Sequence, residues 1–298
     1  LQTAVAAYRV LRFAIPRPLA LLGQQHFDRL IREIDQIRSR WPRDRFTSFR
    51  LSAAGADSAV FRRIKDAISQ RTGLADSATE GDLAINVRRT AGENAGWDVL
   101  LRLSPRPLSA RLWRVCNWPG ALNATVARVM VGLARPSPSE RFLNLACGSG
   151  TLLIERLADG PGGLAIGIDR DEAALDCARA NLSAAAQTGA ALIQADVRRL
   201  PLPDRSFDTL VADLPFGMRF GSTRENAELY PATLGEAARV AVPAATLVVI
   251  TADIRSLRSA VDQTKTLWHL ERDLPIALSY PSGYIHPHIV ILRRNHLL

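Results

Sequence analysis

Residues 213–217 read Asp-Leu-Pro-Phe-Gly and follow directly on the apolar run 209–212. Together they offer a carboxylate, a neighbouring peptide carbonyl as a second acceptor, a proline that fixes the backbone and an aromatic ring. At the end of a buried strand such a set could orient a ligand, although a strand that simply turns would have the same composition. A second stretch helps to decide. Residues 143–155, Leu-Asn-Leu-Ala-Cys-Gly-Ser-Gly-Thr-Leu-Leu-Ile-Glu, read as a strand, a small-residue turn and a helix. Gly148 and Gly150 let a ligand approach the backbone, with Asn144, Ala146, Cys147 and Ser149 in the same turn. Asp169 ends the next predicted strand, 21 residues after Gly148, where a carboxylate can accept ribose hydroxyls. Asp196 ends a third strand, level with an adenine. The adjoining Arg170 and Val197, and Asp213 itself, are candidates along the same edge.

Three strand ends with polar groups suit a nucleoside-containing cofactor. The third glycine of a dinucleotide fingerprint would fall at position 153, which is Leu153, and no phosphate-loop lysine is present. NAD and ATP therefore lose ground. S-adenosyl-L-methionine gains, because it carries ribose and adenine but no phosphates that need a glycine-rich cradle.

These residues need a sheet to hold them. Strands are predicted at 141–146, 164–169, 191–196, 209–213, 245–251, 270–278 and 288–294, with helices in the first intervals. That pattern implies a doubly wound, mostly parallel Rossmann-like sheet, its last two strands forming an antiparallel hairpin at the edge. Upstream, a strand at 4–13, helices at 26–40 and 57–73 (capped by Asp57 or Ser58 and stopped by Gly73) and strands near 45–55, 81–89 and 97–105 make a smaller α/β module. The expected division is 1–114 and 115–298.

The chain has 298 residues, 47% of them hydrophobic, which is ample for two cores. No apolar run reaches membrane-spanning length. It starts at Leu1 inside a strand-like run, so a trimmed start is expected, with no signal-peptide pattern. Cys116, Cys147 and Cys177 show no CxxC spacing, which predicts a reduced, cytoplasmic protein without disulfide or zinc site. His286 and His288 form an HxH without further ligands, so no metal is expected. The net charge is +9, and its placement is informative: residues 1–115 hold 20 Lys and Arg against 11 Asp and Glu, whereas the remainder balances at 18 each. A basic module joined to a neutral one points to a polyanion, nucleic acid first among them. The stretch 38–50, which mixes arginines with Trp41, Phe46 and Phe49, is a candidate RNA track, and a solvated basic face explains it nearly as well.

Residues 143–155 resemble the Asp-Pro-x-Cys-Gly-Ser-Gly-Thr signature of class I RNA methyltransferases that carry an N-terminal THUMP domain. Asp213–Gly217 looks like their catalytic [Asp/Asn]-[Pro/Leu]-Pro-[Phe/Tyr]-Gly motif, and residues 118–134 are similar to the helix that precedes their cofactor loop. Residues 49–74, 81–87 and 103–114 look like a degenerate THUMP domain, of ferredoxin-like α/β type. The pattern is nearest that of tRNA guanine-N2 methyltransferases. The resemblance implies that S-adenosyl-L-methionine is held by Thr125, the 144–150 loop, Asp169, Asp196 and their neighbours. It also implies that Asp213, Leu214, Pro215 and Phe216 act on RNA, tRNA foremost. One departure stands out: Asn144-Leu145 replaces the family's Asp-Pro, whose carboxylate meets the methionine ammonium. On this reading Asp213 and the Leu214 carbonyl each accept an N–H of the guanine amine, Pro215 fixes the chain, Phe216 stacks on an extruded base and Gly217 leaves room for it. Asn123 and Thr125 are candidates for the methionine carboxylate or for helix capping, and Arg219 for a phosphate or for solvent. Ribosomal RNA, DNA adenine, a protein glutamine, or RNA binding without catalysis remain alternatives.

Overall fold

The computed structural model describes residues 2–90, 96–137, 139–160, 163–217, 222–280 and 283–296. The chain divides into two compact units, Leu1–Ala110 and Arg111–Leu298. Residues 111–114 thus fall with the second unit. There Arg111 pairs with Glu155, and Arg114 donates to the Leu122 carbonyl and the Thr151 hydroxyl.

The first unit comprises β1 (Tyr8–Phe13), α1 (Gln24–Arg38), β2 (Ser48–Ala53), α2 (Ala59–Thr72), β3 (Ala75–Asp76), β4 (Leu83–Arg89) and β5 (Trp97–Arg102). Its sheet has the order β1-β5-β4-β2-β3. Helical spacing buries Leu30, Ile31, Ile34 and Ile37 of α1 and Phe61, Ile64 and Ile68 of α2. Ser58 caps α2 through the Phe61 N–H, and Gly73 ends it at φ 72°, a left-handed conformation that glycine adopts without strain. The first strand starts only at Tyr8, where pairing with Arg102 begins, rather than at residue 4 as the apolar run suggested.

The second unit runs α3 (Ala124–Ala134), β6 (Phe142–Leu145), α4 (Thr151–Leu157), β7 (Ala165–Asp169), α5 (Glu172–Ala184), β8 (Ala190–Gln194), β9 (Phe207–Asp213), α6 (Thr223–Val240), β10 (Ala241–Thr251), α7 (Ile254–Gln263), β11 (Trp268–Pro275), the small antiparallel pair β12 (Leu278–Tyr280) and β13 (Gly283–Ile285), and β14 (His288–Arg294). The seven-stranded order is β11-β14-β10-β9-β6-β7-β8. Six strands share one direction, five of them paired in parallel, while β14 lies antiparallel to both β10 and β11, as the closely spaced last strands implied. The β12–β13 pair is an addition that strand alternation did not announce.

Both sheet faces are covered, which explains why the strands read as continuous apolar runs. Leu210 and Ala212, Leu247 and Val249, Val290 and Leu292 pack in one core with Tyr230 and Leu234 of α6 and Leu257 of α7. Val211, Val248, Ile250, Ile289 and Ile291 pack in the other with Ala127, Met130 and Val131 of α3 and the α4 leucines. Side-chain alternation therefore assigns every strand residue to a named face. Among the described residues no helix is long and apolar enough to cross a membrane.

Candidate active site

Chain order reverses direction across the sheet at β6: the next two strands add on one side, and β9 then adds on the other. The loops leaving β6 and β9 flank this switch point, where open α/β sheets bind ligands beyond their carboxyl ends. Asn144 alternates with the core residues Leu143 and Leu145, so it faces the α3 layer. Asp213 follows Ala212 by one residue and shares that face, and Phe216 packs into the same layer. Asn144 pairs with Val211, so Asp213 on the adjoining strand lies two residues farther toward the carboxyl end, about 6.6 Å of strand rise.

Asp213 keeps part of its surface open, but its carboxyl is withdrawn from bulk solvent. Burial pushes it up to about 7 from an ordinary 3.8, and no hydrogen bond from a described residue reaches it. Leu214 is buried and its N–H donates to the Ile250 carbonyl at 3.1 Å, which extends the β9–β10 ladder into the turn. The Pro215 carbonyl accepts from the Tyr230 hydroxyl at 2.5 Å and from Asn226 Nδ2 at 3.1 Å. Gly217 has φ 72°, and a Cβ there would sit 3.2 Å from Asn226 Nδ2. Glycine is thus favoured by conformation, and the space beside it is tight.

The loop after β6 is built from left-handed turns, with φ 48° at Ala146, 51° at Gly148 and 78° at Gly150. Asp169 fastens it by accepting from the Gly148 N–H at 2.8 Å through Oδ2, while Oδ1 accepts from the Asp171 N–H at 3.0 Å. Cys147 is buried, and burial holds its thiol well above the ordinary range, so it stays protonated. Three polar side chains here are buried without a partner among the described residues: both amide atoms of Asn144, the Ser149 hydroxyl and the Thr125 hydroxyl in the first turn of α3. Native proteins rarely leave such groups unpaired, and each costs about 1–3 kcal/mol unless something else meets it. Asn123 caps α3 by accepting from the Thr125 N–H at 2.8 Å, which is its evident task. The donors and acceptors left over therefore fit a polar ligand group lying against a glycine-rich loop.

Other candidates are less engaged. Asp196 is ion-paired with Arg198 at 2.6 Å, and that hydrogen bond holds its carboxyl below the ordinary range. Val197 is buried in the core and Arg170 is exposed. Arg219 lies outside the described residues. His288 contacts Asp273 rather than His286, and no cluster of three metal-ligating side chains occurs among the described residues. A cavity of about 300 Å³ lies at the opposite end of the sheet, lined by Glu140, Asp208, Thr209, Thr246 and Arg293, away from Asp213.

One expectation is corrected. Cys116 and Cys177 form a disulfide, with Cα atoms 5.4 Å apart. Their separation of 61 residues hid the pairing, because only the packing of segment 111–123 against α5 brings them together. Asn181, fully buried on α5, reinforces the junction. Its Oδ1 accepts from the Cys116 N–H, and its Nδ2 donates to the carbonyls of Cys116 and Ser149. The segment thereby places Trp118 beside the cofactor-loop candidate, Cδ1 lying 3.9 Å from where a Cβ on Gly148 would be. Sequence inspection missed Trp118, Asn181, Asn226 and Tyr230. No local spacing marks them, and only the fold assembles them.

Fold and switch-point geometry define a Rossmann-like domain of the class I methyltransferase type. The chain belongs to the UPF0020 family (RMKL-like, methyltransferase domain), whose model matches residues 111–273. A human protein named tRNA (guanine(6)-N(2))-methyltransferase THUMP3 is 28% identical over 193 residues, covering 57% of this chain and 38% of its own length. The tRNA (guanine(6)-N2)-methyltransferase of Thermus thermophilus is 27% identical over 236 residues, 79% of this chain and 67% of that protein. The chain thus spans well under half the length of the human relative. The crystal structure of TrmN from Thermus thermophilus shares the fold, with a TM-score of 0.67 over 89% of this chain and 78% of that one at 22% identity.

Proposed function

We propose that this protein transfers a methyl group from S-adenosyl-L-methionine to N2 of a guanosine in RNA, with tRNA the foremost substrate. The observation that carries the proposal is one shared sheet face: the amide of Asn144, without a partner among the described residues, and the desolvated carboxyl of Asp213 sit on adjoining strands at the switch point. Relatives named for guanine-N2 methylation of tRNA support the choice of substrate.

When bound, S-adenosyl-L-methionine supplies an electrophilic methyl on a sulfonium. Asn144, Ser149 and Thr125 would meet its polar groups, the Ala146–Gly150 backbone would line it, and Asp169 would stay free to accept hydroxyl protons with its remaining lone pairs. The chain's own task is to make a poor nucleophile react. The lone pair of an exocyclic guanine amine is delocalised into the ring. Asp213 and the Leu214 carbonyl each accept one of its N–H groups, which turns the nitrogen's electron density outward. As the nitrogen gains a methyl group it must lose a proton, and Asp213, lifted to about 7, is a far better proton acceptor than an ordinary aspartate. Phe216 provides the platform for an extruded base. Exposed Arg40, Trp41, Arg43, Arg45 and Arg50 of the basic first unit would grip the RNA backbone, so that affinity falls steeply with salt.

The test is incubation with labelled cofactor and total RNA, followed by mass spectrometry of the nucleosides. N2-methylguanosine is expected, and methyl on adenine, on protein or nowhere would overturn the reading. A second reading, RNA binding without catalysis, is favoured by Asn144, which removes charge assistance toward the methionine ammonium. Calorimetry separates the two: no cofactor binding at millimolar concentration would support the noncatalytic protein.

A further inference from the structure

The Asp213–Gly217 turn carries three acceptors in succession, and the fold treats them differently. The Asp213 carboxyl and the Leu214 carbonyl receive no hydrogen bond from a described residue. The Pro215 carbonyl receives two, both from fully buried side chains of α6. A carbonyl has no proton to give, so Tyr230 is the donor to Pro215. Its oxygen is then open to the Thr251 hydroxyl at 2.7 Å, and Thr251 in turn accepts the Asp253 N–H at 3.0 Å. Burial holds the Tyr230 hydroxyl protonated, above its ordinary range. The result is a chain of hydrogen bonds with one direction, from the Asp253 amide through Thr251 and Tyr230 to Pro215. Asn226 joins it from the side, its Nδ2 also donating to Asp253 Oδ2 at 3.0 Å.

We infer that Tyr230, with Thr251 and Asn226 behind it, is a positioning residue that selects the acceptors of the turn. It saturates the Pro215 carbonyl from the core side and leaves the Asp213 and Leu214 oxygens as the pair offered to the substrate amine. The inference rests on the functional reading above. Without the Tyr230 hydroxyl the Pro215 peptide loses one of its two anchors. The turn can then rotate, and a third acceptor competes for the amine. Tyr230 packs in the core on the sheet face opposite Asn144, with Leu210, Ala212 and Leu234, so its hydroxyl can be removed without touching Asn144.

The experiment compares the full chain with Tyr230→Phe, Thr251→Val, Thr251→Ser and the double variant Tyr230→Phe/Thr251→Val. The readouts are methyl transfer to RNA at saturating cofactor and calorimetry for cofactor affinity and stoichiometry. Tyr230→Phe is expected to lower kcat about 10- to 100-fold while the RNA KM and cofactor Kd stay within about threefold. Thr251→Val should follow it, Thr251→Ser should recover near-parental kcat, and the double variant should be no slower than Tyr230→Phe, because one chain is broken only once. Parental kcat in Tyr230→Phe overturns the inference. So does a loss of kcat matched by an equal loss of binding stoichiometry, which marks a purely structural role. If Tyr230→Phe fails to fold, Thr251→Val against Thr251→Ser decides alone. An active parent with an unimpaired Tyr230→Phe removes only this inference, whereas a cofactor-bound parent that methylates no RNA removes the functional reading and this inference with it.

Discussion

The loop after β6 and the turn after β9 leave neighbouring strands of one sheet, yet their polar groups are handled in opposite ways. On the first side, Asn144 near the end of β6 and Ser149 in the loop are buried without a partner among the described residues, and the backbone turns left-handed even at Ala146. In the second, the backbone is locked by the Ile250, Tyr230 and Asn226 contacts, and what remains open is the carboxyl of Asp213 and the carbonyl of Leu214. A region with leftover hydrogen-bonding capacity is suited to a ligand that brings complementary groups. A region saturated from behind is suited to holding one geometry while bonds change. The contrast separates binding from chemistry, and the separation can be attacked from both sides.

The largest effect is expected at Asp213. Asp213→Ala should lower methyl transfer about 10³-fold, with cofactor Kd within about threefold of the parent, as read by labelled-methyl turnover and calorimetry. Loss of cofactor binding in this variant would mean that the two regions are one. Next comes pH. Below about pH 4 the Asp213 carboxyl is protonated in folded and unfolded chains alike. Between there and about 7 the unfolded chain ionises and the folded one does not, so this group's stabilising contribution is lost as pH rises. Asp213→Asn has no such term. Its stability advantage should open between pH 4 and 7 and level off at roughly 2–4 kcal/mol, measured by chemical denaturation across pH. The parent's methyl transfer should rise through about pH 7 as the carboxylate forms, and a flat profile would count against Asp213 as proton acceptor.

What could be read in the sequence divides along the same line. The strand ends and the glycine turn were legible, because Asn144–Gly150, Asp169 and Asp213–Gly217 owe their placement to local period and turn chemistry. The groups that hold the turn were not. Tyr230 and Asn226 lie on a helix that alternates like any buried helix, and Thr251 closes an ordinary apolar strand; their task exists only in tertiary contact. The disulfide escaped for the same reason. Val197 adjoins Asp196 and packs its side chain into the core.

The β6 side is probed by Asn144→Leu. Removing two unpaired polar atoms should stabilise the cofactor-free protein by about 1–3 kcal/mol while weakening cofactor affinity about tenfold. Opposite signs in thermal unfolding and calorimetry would sharpen the contrast between the regions. A destabilised cofactor-free protein would show that the amide is satisfied in solution and would weaken the case for a ligand there.

The smallest effect belongs to Ala146. Its φ of 48° places a Cβ in the left-handed region, which costs an L-residue about 1–2 kcal/mol relative to glycine. Ala146→Gly relieves that strain but loses a methyl packed against the core and adds freedom to the unfolded chain, together offsetting about 0.5–1 kcal/mol. A net gain of about 0.5 kcal/mol in denaturant unfolding is expected, with kcat unchanged, because the substitution lies on the binding side of the divide. If turnover fell while cofactor affinity held, the loop after β6 would be setting geometry for the chemical step, and the division of labour between the two strands would have to be redrawn.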